Sequence, residues 1–177
     1  MSEIKLDERL MTAAELVRLD GRIADIGTDH ALLPCYLRKK GARDVNPNPL
    51  KTARATLERF GEDIPLILSD GLRGIDYADD VIIAGMGGEL ICNILRDSEE
   101  IAHCAKELIL QPMTHPELLR TFLSSEGFEI HNELLVHEDK IYHIICAEYS
   151  GEPMELDHFE ALFGKGNLSE PSEELYA

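Results

Sequence analysis

Apolar residues recur along the chain in two patterns, helical spacing and short continuous runs, and each pattern predicts a type of secondary structure. In residues 6–17 the apolar positions follow helical spacing, with acidic side chains in the first turn. A compact apolar run at residues 23–26 predicts a buried strand. Residues 31–40 have a proline near their start and three cations at their end, which is typical of a helix. The chain therefore begins in the order helix, strand, helix.

The later segments continue this alternation. Helices are predicted over residues 50–60, 89–95, a short stretch ending at Cys104, and 116–126. Short apolar runs at 64–68, 81–84 and 108–110 predict strands. Residues 128–136 and 141–149 predict an antiparallel hairpin. We therefore expect an α/β fold of Rossmann-like type, with a mostly parallel sheet that finishes in this hairpin.

Two segments depart from the pattern. A second strand should lie near residues 41–46, but these residues have so few apolar side chains that we expect this strand to be short or missing. Beyond residue 150 the periodicity fades into Gly, Pro, Ser and Glu, which predicts a frayed helix or a disordered tail. We therefore divide the chain into a domain at 1–150 and an acidic appendage at 151–177.

Composition narrows the class of protein. A chain of 177 residues is long enough for one domain with a substantial core. No apolar run approaches the ~20 residues of a membrane span and the first residues lack signal-peptide character, so we expect a cytoplasmic protein without membrane contact. The four cysteines stand far apart in the sequence, which favours free thiols over a metal site or disulfides. Oligomeric state cannot be inferred.

Charge bears on possible partners. The formal net charge of −17 argues against non-specific nucleic-acid binding, which depends on a summed positive field. It does not argue against a local basic patch.

The chemistry is concentrated after the first strand, in the run from Asp25 to His30. Gly27 lets a backbone approach a ligand closely, and the free N–H groups of the next helix point toward the same crevice. A phosphate-binding turn would have more glycines and no carboxylates, whereas Asp25 and Asp29 flank Gly27. A cationic ligand such as S-adenosylmethionine fits better. The alternative is an ordinary strand followed by an Asx turn.

Other predicted strand ends carry polar or glycine-rich residues, and in an open α/β sheet they meet at one rim. Asp44 follows the first turn by about 20 residues, a distance at which a carboxylate can accept ribose hydroxyls. Asp70 is placed to accept an adenine amino group, and residues 85–88 to line a methyl-transfer centre. Each of these also has a simpler interpretation, as a loop aspartate or a tight turn into a helix.

Together these motifs resemble the bacterial tRNA (adenine-22, N1)-methyltransferase family. The resemblance covers about residues 6–149 and rests on the following segments, in order: Ala24-Asp25-Ile26-Gly27-Thr28-Asp29-His30-Ala31, Leu33-Pro34, Asp44-Val45-Asn46, Pro49-Leu50, Asp70-Gly71-Leu72, Ile83-Ala84-Gly85-Met86-Gly87-Gly88, Leu108-Ile109-Leu110-Gln111-Pro112 and Glu138-Asp139-Lys140-Ile141-Tyr142. It implies a class I S-adenosylmethionine-dependent methyltransferase with a sheet of the seven-stranded type.

The resemblance also implies which residues bind the cofactor. Asp25, Gly27, Thr28, Asp29 and His30 would surround its methionine part; Asp44 and Asn46 would lie at the ribose, Asp70 and Gly71 at the adenine, and Gly85, Met86 and Gly87 beside the methyl group. Family members have more apolar residues before the segment matching Asp44. They also continue into a helical C-terminal domain that helps hold tRNA, and residues 151–177 would be its remnant.

Asp29 is our candidate catalytic residue, because a carboxylate that accepts the adenine N6 proton would stabilise the cationic product ring. The alternative is that Asp29 only binds the cofactor or caps the next helix.

Substrate contacts are predicted from base stacking and from cations. Tyr142 and Tyr36 are candidates to stack on a splayed adenine. Arg9, Arg38, Lys39 and Lys40 are candidates for RNA contacts, although charged solvent-facing helix positions are the commoner explanation for such cations.

Other functions fit parts of the same pattern. They are methylation of another RNA or of a small molecule, a nicotinamide-dependent dehydrogenase, and a non-catalytic nucleotide-binding domain.

Overall fold

The computed structural model describes residues 4–27, 30–42, 44–48, 53–62, 64 and 71–169. Its helices are α1 (Glu8–Glu15), α2 (Leu32–Lys40), α3 (Ala53–Phe60), α4 (Gly88–Asp97), α5 (Glu99–Cys104), α6 (Pro116–Ser125), α7 (His158–Phe163) and α8 (Lys165–Ser169). Its strands are β1 (Arg22–Ile26), β2 (Asp44–Asn48), β3 (Asp80–Gly87), β4 (Glu107–Thr114), β5 (Phe128–His137) and β6 (Ile141–Tyr149).

The six strands of the described residues form one sheet in the order β2-β1-β3-β4-β6-β5. The pairs β1–β2, β1–β3 and β3–β4 are parallel, whereas β6 is antiparallel to both β4 and β5. The predicted Rossmann-like α/β fold with its C-terminal hairpin is therefore confirmed. The strand predicted over 64–68 lies, except for Ile64, outside the described residues.

Helices cover both faces of the sheet, and the alternation of side chains along each strand decides which face a residue joins. In β1, Ala24 and Ile26 belong to the core under α4 and α6, while Ile23 belongs to the core under α1 and α2. β3 and β4 alternate in the same way. Because the parallel strands are covered on both faces, they are apolar along most of their length. This apolar pattern is why they could be predicted from the sequence.

The second strand is present, so the alternative that it is missing is wrong. β2 is short, at five residues, and pairs in parallel with β1 from Arg22 opposite Asp44 to Ile26 opposite Asn48. Val45 is 3% exposed and belongs to the core under α2. A strand at the sheet edge is held by its backbone ladder to one neighbour and needs little apolar sequence.

The chain beyond residue 150 contains helices where the sequence predicted a frayed helix or a disordered tail. α7 begins with a capping box in which the Asp157 side chain accepts from the backbone of Glu160 and the Glu160 side chain accepts from the backbone of Asp157. How the chain divides into domains stays a prediction.

The cysteines are all free; three are buried and Cys104 is exposed. Burial raises the pKa of the Cys35 and Cys92 thiols to about 11, which keeps them protonated and unreactive. Of the helices in the described part of the chain, none has the length and apolar character needed to cross a membrane.

Candidate functional site

A cavity of about 300 Å³ opens at the edge of the sheet where β1 and β3 end. It is lined by Asp7, Arg9, Leu10, Asp25, Gly27, His30, Leu32, Leu33, Ala84 and Gly85. A larger groove of about 470 Å³ lies between α4, α6 and α7, but its described lining contains no predicted site residue. The cavity at the strand ends is therefore the candidate site, in the position where open α/β sheets bind ligands.

The corner after β1 brings a buried carboxyl group and a glycine to this cavity. Asp25 is 1% exposed, one residue before the last residue of β1. Gly27 has a φ of +82°, a conformation that L side chains rarely adopt. A Cβ on Gly27 would lie 1.8 Å from Cε of Met86, so the β1 corner and the Met86 side chain are in direct contact. The predicted residues Asp25, Gly27, His30 and Gly85 line one cavity, and Met86 borders it.

The glycines after β3 have different structural roles. Gly85 has a φ of +78° and faces the cavity. Gly87 packs against Thr114, whose Oγ1 would be 3.1 Å from an added Cβ. Gly88 starts α4 so close to the β4–α6 connection that a Cβ would lie 2.4 Å from the His115 carbonyl oxygen. Gly85 therefore serves the cavity, while Gly88 permits close packing of two segments.

Three predicted cofactor residues, Thr28, Asp29 and Asp70, lie outside the described residues. The catalytic role of Asp29 therefore stays a prediction. Gly71, predicted to lie at the adenine, has a φ of +65° and packs against Ile94 of α4.

The register of β2 corrects the expected position of Asp44. Asp44 begins β2 opposite Arg22, at the amino end of β1, and Asn46 lies mid-strand opposite Ala24. The β2 residue at the rim is Asn48, opposite Ile26. At a rise of ~3.3 Å per residue, Asp44 is about 13 Å along the strand from Asn48. The prediction put the second strand near residues 41–46 with Asp44 toward its end, whereas β2 begins at Asp44.

Gln111 connects three segments around the cavity, although the sequence suggested no role for it beyond its place in a family motif. Its side chain is fully buried. Oε1 accepts from Arg9 Nη1 at 2.7 Å and from the Gly85 backbone N–H at 3.1 Å, while Nε2 donates to the Pro112 carbonyl at 3.0 Å. A buried polar side chain in an otherwise apolar strand was the available signal.

The predicted substrate residues Arg9 and Tyr142 are neighbours. The Arg9 guanidinium lies 5.6 Å from the Tyr142 ring centroid and Lys140 Nζ 5.0 Å from it. Tyr142 is 6% exposed, which leaves no ring face for stacking on a base and argues against that role. The hydrogen bond that its Oη donates to Asp139 raises the pKa of the Tyr142 phenol. Tyr142 instead supports two cations.

The cations Arg38, Lys39 and Lys40 are not brought to the cavity. α2 starts at the rim and returns toward the amino ends of the strands, so its last turn lies about 12 Å from its first. Arg38 donates to the Ala42 carbonyl, and Lys39 and Lys40 lie over the rings of Phe60 and Tyr36.

A metal centre has no support in the described residues, where no group of three or more His, Cys, Asp or Glu side chains is arranged to hold an ion.

Comparisons with known proteins agree with this geometry. A family model described as a methyltransferase domain matches residues 6–145. The tRNA (adenine(22)-N(1))-methyltransferase of Bacillus subtilis is 38% identical over 159 residues, covering 84% of this chain and 67% of that enzyme. The chain belongs to the bacterial tRNA (adenine-22, N1)-methyltransferase family.

Solved structures of similar proteins include two with bound ligands. Streptococcus pneumoniae Sp1610 in complex with S-adenosyl-L-methionine has a TM-score of 0.87 at 29% identity, over 97% of this chain and 85% of that chain. M. capricolum TrmK with S-adenosyl-homocysteine has a TM-score of 0.77 at 30% identity, over 90% and 76%. The methyltransferase match includes all the described residues that line the cavity.

Proposed function

We propose that this chain is an S-adenosylmethionine-dependent methyltransferase that acts on N1 of adenine 22 in tRNA. The observation that carries the proposal is the 38% identity to the Bacillus subtilis enzyme of that name across 84% of the chain. The bound S-adenosyl-L-methionine and S-adenosyl-homocysteine of the similar structures identify the cofactor. The partner is tRNA, and we place the enzyme in the cytoplasm, where tRNA is modified.

The residues of the cavity fit such a cofactor. A buried carboxyl group, Asp25, suits a ligand that carries cationic ammonium and sulfonium groups. Gly27 and Gly85 each have a positive φ and no side chain, so a ligand can approach both corners closely. The volume of about 300 Å³ falls within the range of small-molecule sites. Asp25, Gly27, His30 and Gly85 would therefore hold the methionine end of the molecule.

The chain's own contribution to the reaction is orientation and exclusion of water. When bound, the cofactor supplies an electrophilic methyl group, and adenine N1 has a lone pair, so no base has to remove a proton first. The corners at Gly27 and Gly85 border the cavity, and the apolar side chains of Leu10 and Leu33 that line it would limit water there.

An acidic chain needs a local positive surface to meet tRNA. Arg9 and Lys140 lie together over Tyr142 beside the cavity. We infer that these two cations meet the RNA near the target base, whereas Arg38, Lys39 and Lys40 lie at the far end of α2 and would contact a more distant part of the tRNA, if any.

Asp29 is proposed to accept the N6 proton of the target adenine as the ring becomes cationic. We expect Asp29→Asn to lower the single-turnover rate of methylation by about 10-fold to 100-fold while leaving the affinity for S-adenosylhomocysteine nearly unchanged. Rapid-quench methylation assays and isothermal titration measure the two quantities. Equal losses in both would make Asp29 a cofactor-binding residue only.

The decisive experiment maps the product. The protein is incubated with S-adenosylmethionine and two tRNA transcripts, one with adenine at position 22 and one with guanine there, and nuclease fragments are analysed by mass spectrometry. We expect N1-methyladenine at position 22 of the first transcript and none in the second. Methylation at another position, or only of small molecules, would contradict the tRNA assignment; tight binding of NAD without S-adenosylhomocysteine binding would contradict the cofactor.

A further inference from the structure

The Gln111 side chain has a hydrogen-bonding arrangement that fixes its orientation. Its two bonds at Oε1 come from N–H donors, the Arg9 guanidinium and the Gly85 backbone, neither of which can accept a hydrogen bond. Its amide nitrogen donates to the Pro112 carbonyl oxygen, which only accepts. The assignment of oxygen and nitrogen is therefore determined by the partners, and a buried amide with these bonds satisfied has one stable orientation.

Gly85 depends on Gln111 because the ladder between β3 and β4 is interrupted there. Ala84 pairs with Gln111 and Met86 with Pro112, so Gly85 is an extra residue in β3 with a φ of +78°. Its backbone N–H would lack a strand partner at this bulge, and the Gln111 side chain accepts it. Gln111 thus holds the bulge that faces the cavity.

Arg9 is anchored at three points and still faces the cavity. Its backbone N–H donates to Glu138 Oε1 at 2.8 Å, and its guanidinium binds Gln111 at 2.7 Å and Asp7 at 2.9 Å. A guanidinium has five N–H groups, and these two side chains occupy two of them within the described residues. The side chain is 18% exposed, so the remaining donors are accessible from the cavity side.

We propose that Gln111 is a positioning residue that holds the Arg9 guanidinium at the cavity, where Arg9 binds an anionic oxygen group of a ligand. The proposal rests on the proposed function, which supplies two sources of that group: the α-carboxylate of the methyl donor and a phosphate beside the target adenine. A cavity lined by both Asp25 and Arg9 matches a ligand with separate positive and negative groups.

Two variants test the proposal, one at the arginine that would bind the ligand and one at the glutamine that would hold this arginine. Arg9→Met removes the guanidinium, and Gln111→Met removes the acceptor that holds it while keeping a similar volume in the buried site. Gln111→Glu keeps the acceptor: one carboxylate oxygen can still accept from Arg9 and Gly85, whereas the other loses the donation that Nε2 makes to the Pro112 carbonyl. Arg96→Met is the matched control, since Arg96 is an exposed arginine in the last turn of α4, at the other end of that helix from the rim. Thermal unfolding of every variant reports whether it is folded.

The first measurement is titration with S-adenosylhomocysteine and with 5′-methylthioadenosine, which lacks the amino-acid group. If Arg9 binds the carboxylate, Arg9→Met and Gln111→Met weaken S-adenosylhomocysteine by about 10-fold or more and leave methylthioadenosine unchanged. Gln111→Glu recovers most of the loss. This arm needs no tRNA, so it remains informative even if the protein methylates a different substrate.

The second measurement is tRNA affinity as a function of salt, with S-adenosylhomocysteine saturating. If Arg9 binds a phosphate, both Met variants raise the Kd for tRNA, reduce the slope of log K against log salt by about one unit, and leave cofactor affinity unchanged.

Either pattern supports the proposal when Gln111→Met repeats the effect of Arg9→Met and the double variant adds little to it. Folded variants that bind both ligands as the wild type does would overturn it. A loss in Gln111→Met that Arg9→Met does not share would show that Gln111 acts only on the fold.

Discussion

Gly27 is constrained both by its backbone and by its neighbour. Its φ of +82° disfavours any L side chain, and Cε of Met86 occupies the space where a Cβ would lie, at 1.8 Å. Met86 ends in a flexible thioether that can move aside, whereas the backbone conformation cannot change without moving the corner after β1. The two constraints should therefore affect different properties, stability and ligand binding.

We predict that Gly27→Ala costs about 1–2 kcal/mol of unfolding free energy, from the backbone conformation, and also weakens S-adenosylhomocysteine binding, because Met86 is displaced into the cavity. Gly61→Ala is the matched control: Gly61 has a φ of +68° and no described atom within 4 Å of an added Cβ. It should lose similar stability and retain full cofactor affinity. Urea unfolding and isothermal titration measure the two effects, and equal affinities in both variants would show that Met86 does not couple the corner to the ligand.

The sequence identified the residues at this corner because glycine and buried acidic residues at a strand end have few other uses. Asp25, Gly27 and Gly85 were predicted in this way and His30 from the family resemblance, and all four line one cavity. Gln111 was part of a family motif but was assigned no role. Its role depends on contacts with residues 102 and 26 positions away, and no local pattern contains such contacts.

At the scale of elements, a buried arginine links α7 to the sheet. Arg120 of α6 is 1% exposed, and its Nη1 donates to the carbonyls of Ala161 and Leu162 at 2.8 and 2.9 Å. Its Nε donates to Glu133 of β5 at 3.1 Å. Burial acts to raise the pKa of Glu133, but its hydrogen bonds with His143 and Arg120 outweigh the effect of burial and the pKa is lowered. A buried guanidinium thus joins a helix end to an ionised carboxylate.

We predict that Arg120→Met lowers the unfolding free energy by about 3–5 kcal/mol, because Glu133 is left buried beside His143 alone. Amide hydrogen exchange in α7 should accelerate, since the carbonyls of its last turn lose their donor. Chemical denaturation and exchange mass spectrometry check both effects.

The control is the double variant Arg120→Met with Glu133→Leu, which removes both charges and should recover much of the stability without restoring protection in α7. Unchanged exchange in α7 in both variants would show that the helix is held by other contacts.

Helices and strands could be predicted from the sequence where the burial of their own apolar side chains stabilises them. β1, β3, β4 and the hairpin have apolar patterns because both of their faces or one long face is buried. β2 was nearly missed because it is a strand at the edge of the sheet, where the backbone ladder to β1 holds it and little apolar sequence is needed. For α7 the sequence left a frayed helix and a disordered tail as alternatives, because the arginine that contacts this helix lies 41 positions earlier in the chain.

At the scale of the molecule, the two ends of the sheet have different tasks. The carboxyl ends of β1 and β3 form the cavity. The amino ends hold two acidic residues in ionic contacts: Asp80 is fully buried and accepts from the backbone and guanidinium of Arg18. Its neighbour Asp79 binds the Lys106 ammonium at 2.7 Å. Substitutions at this end should therefore change stability without changing ligand binding.

The contribution of Asp79 to the stability of the fold depends on pH. The Lys106 ammonium, the hydroxyl of Tyr77 and the Arg22 backbone N–H all donate to its carboxylate, and together they hold the pKa of Asp79 well below its usual range. A carboxyl group whose folded pKa is depressed stabilises the fold above its unfolded pKa of about 3.9, and that stabilisation is lost as pH falls toward the folded value. The contribution should be complete at pH 7.

We predict that Asp79→Asn is less stable than the wild type at pH 7 and that the difference shrinks steadily below about pH 4, because the unfolded wild-type chain then binds a proton at Asp79 that the folded chain does not. Urea titrations followed by far-UV circular dichroism suit a chain without tryptophan. Asp97→Asn is the control, since its exposed pair with Arg73 should contribute less than about 1 kcal/mol. Cofactor affinity of Asp79→Asn at pH 7 should equal that of the wild type, because the substitution lies at the end of the sheet away from the cavity. A stability difference that stays constant between pH 7 and pH 3 would contradict the assigned role of Asp79.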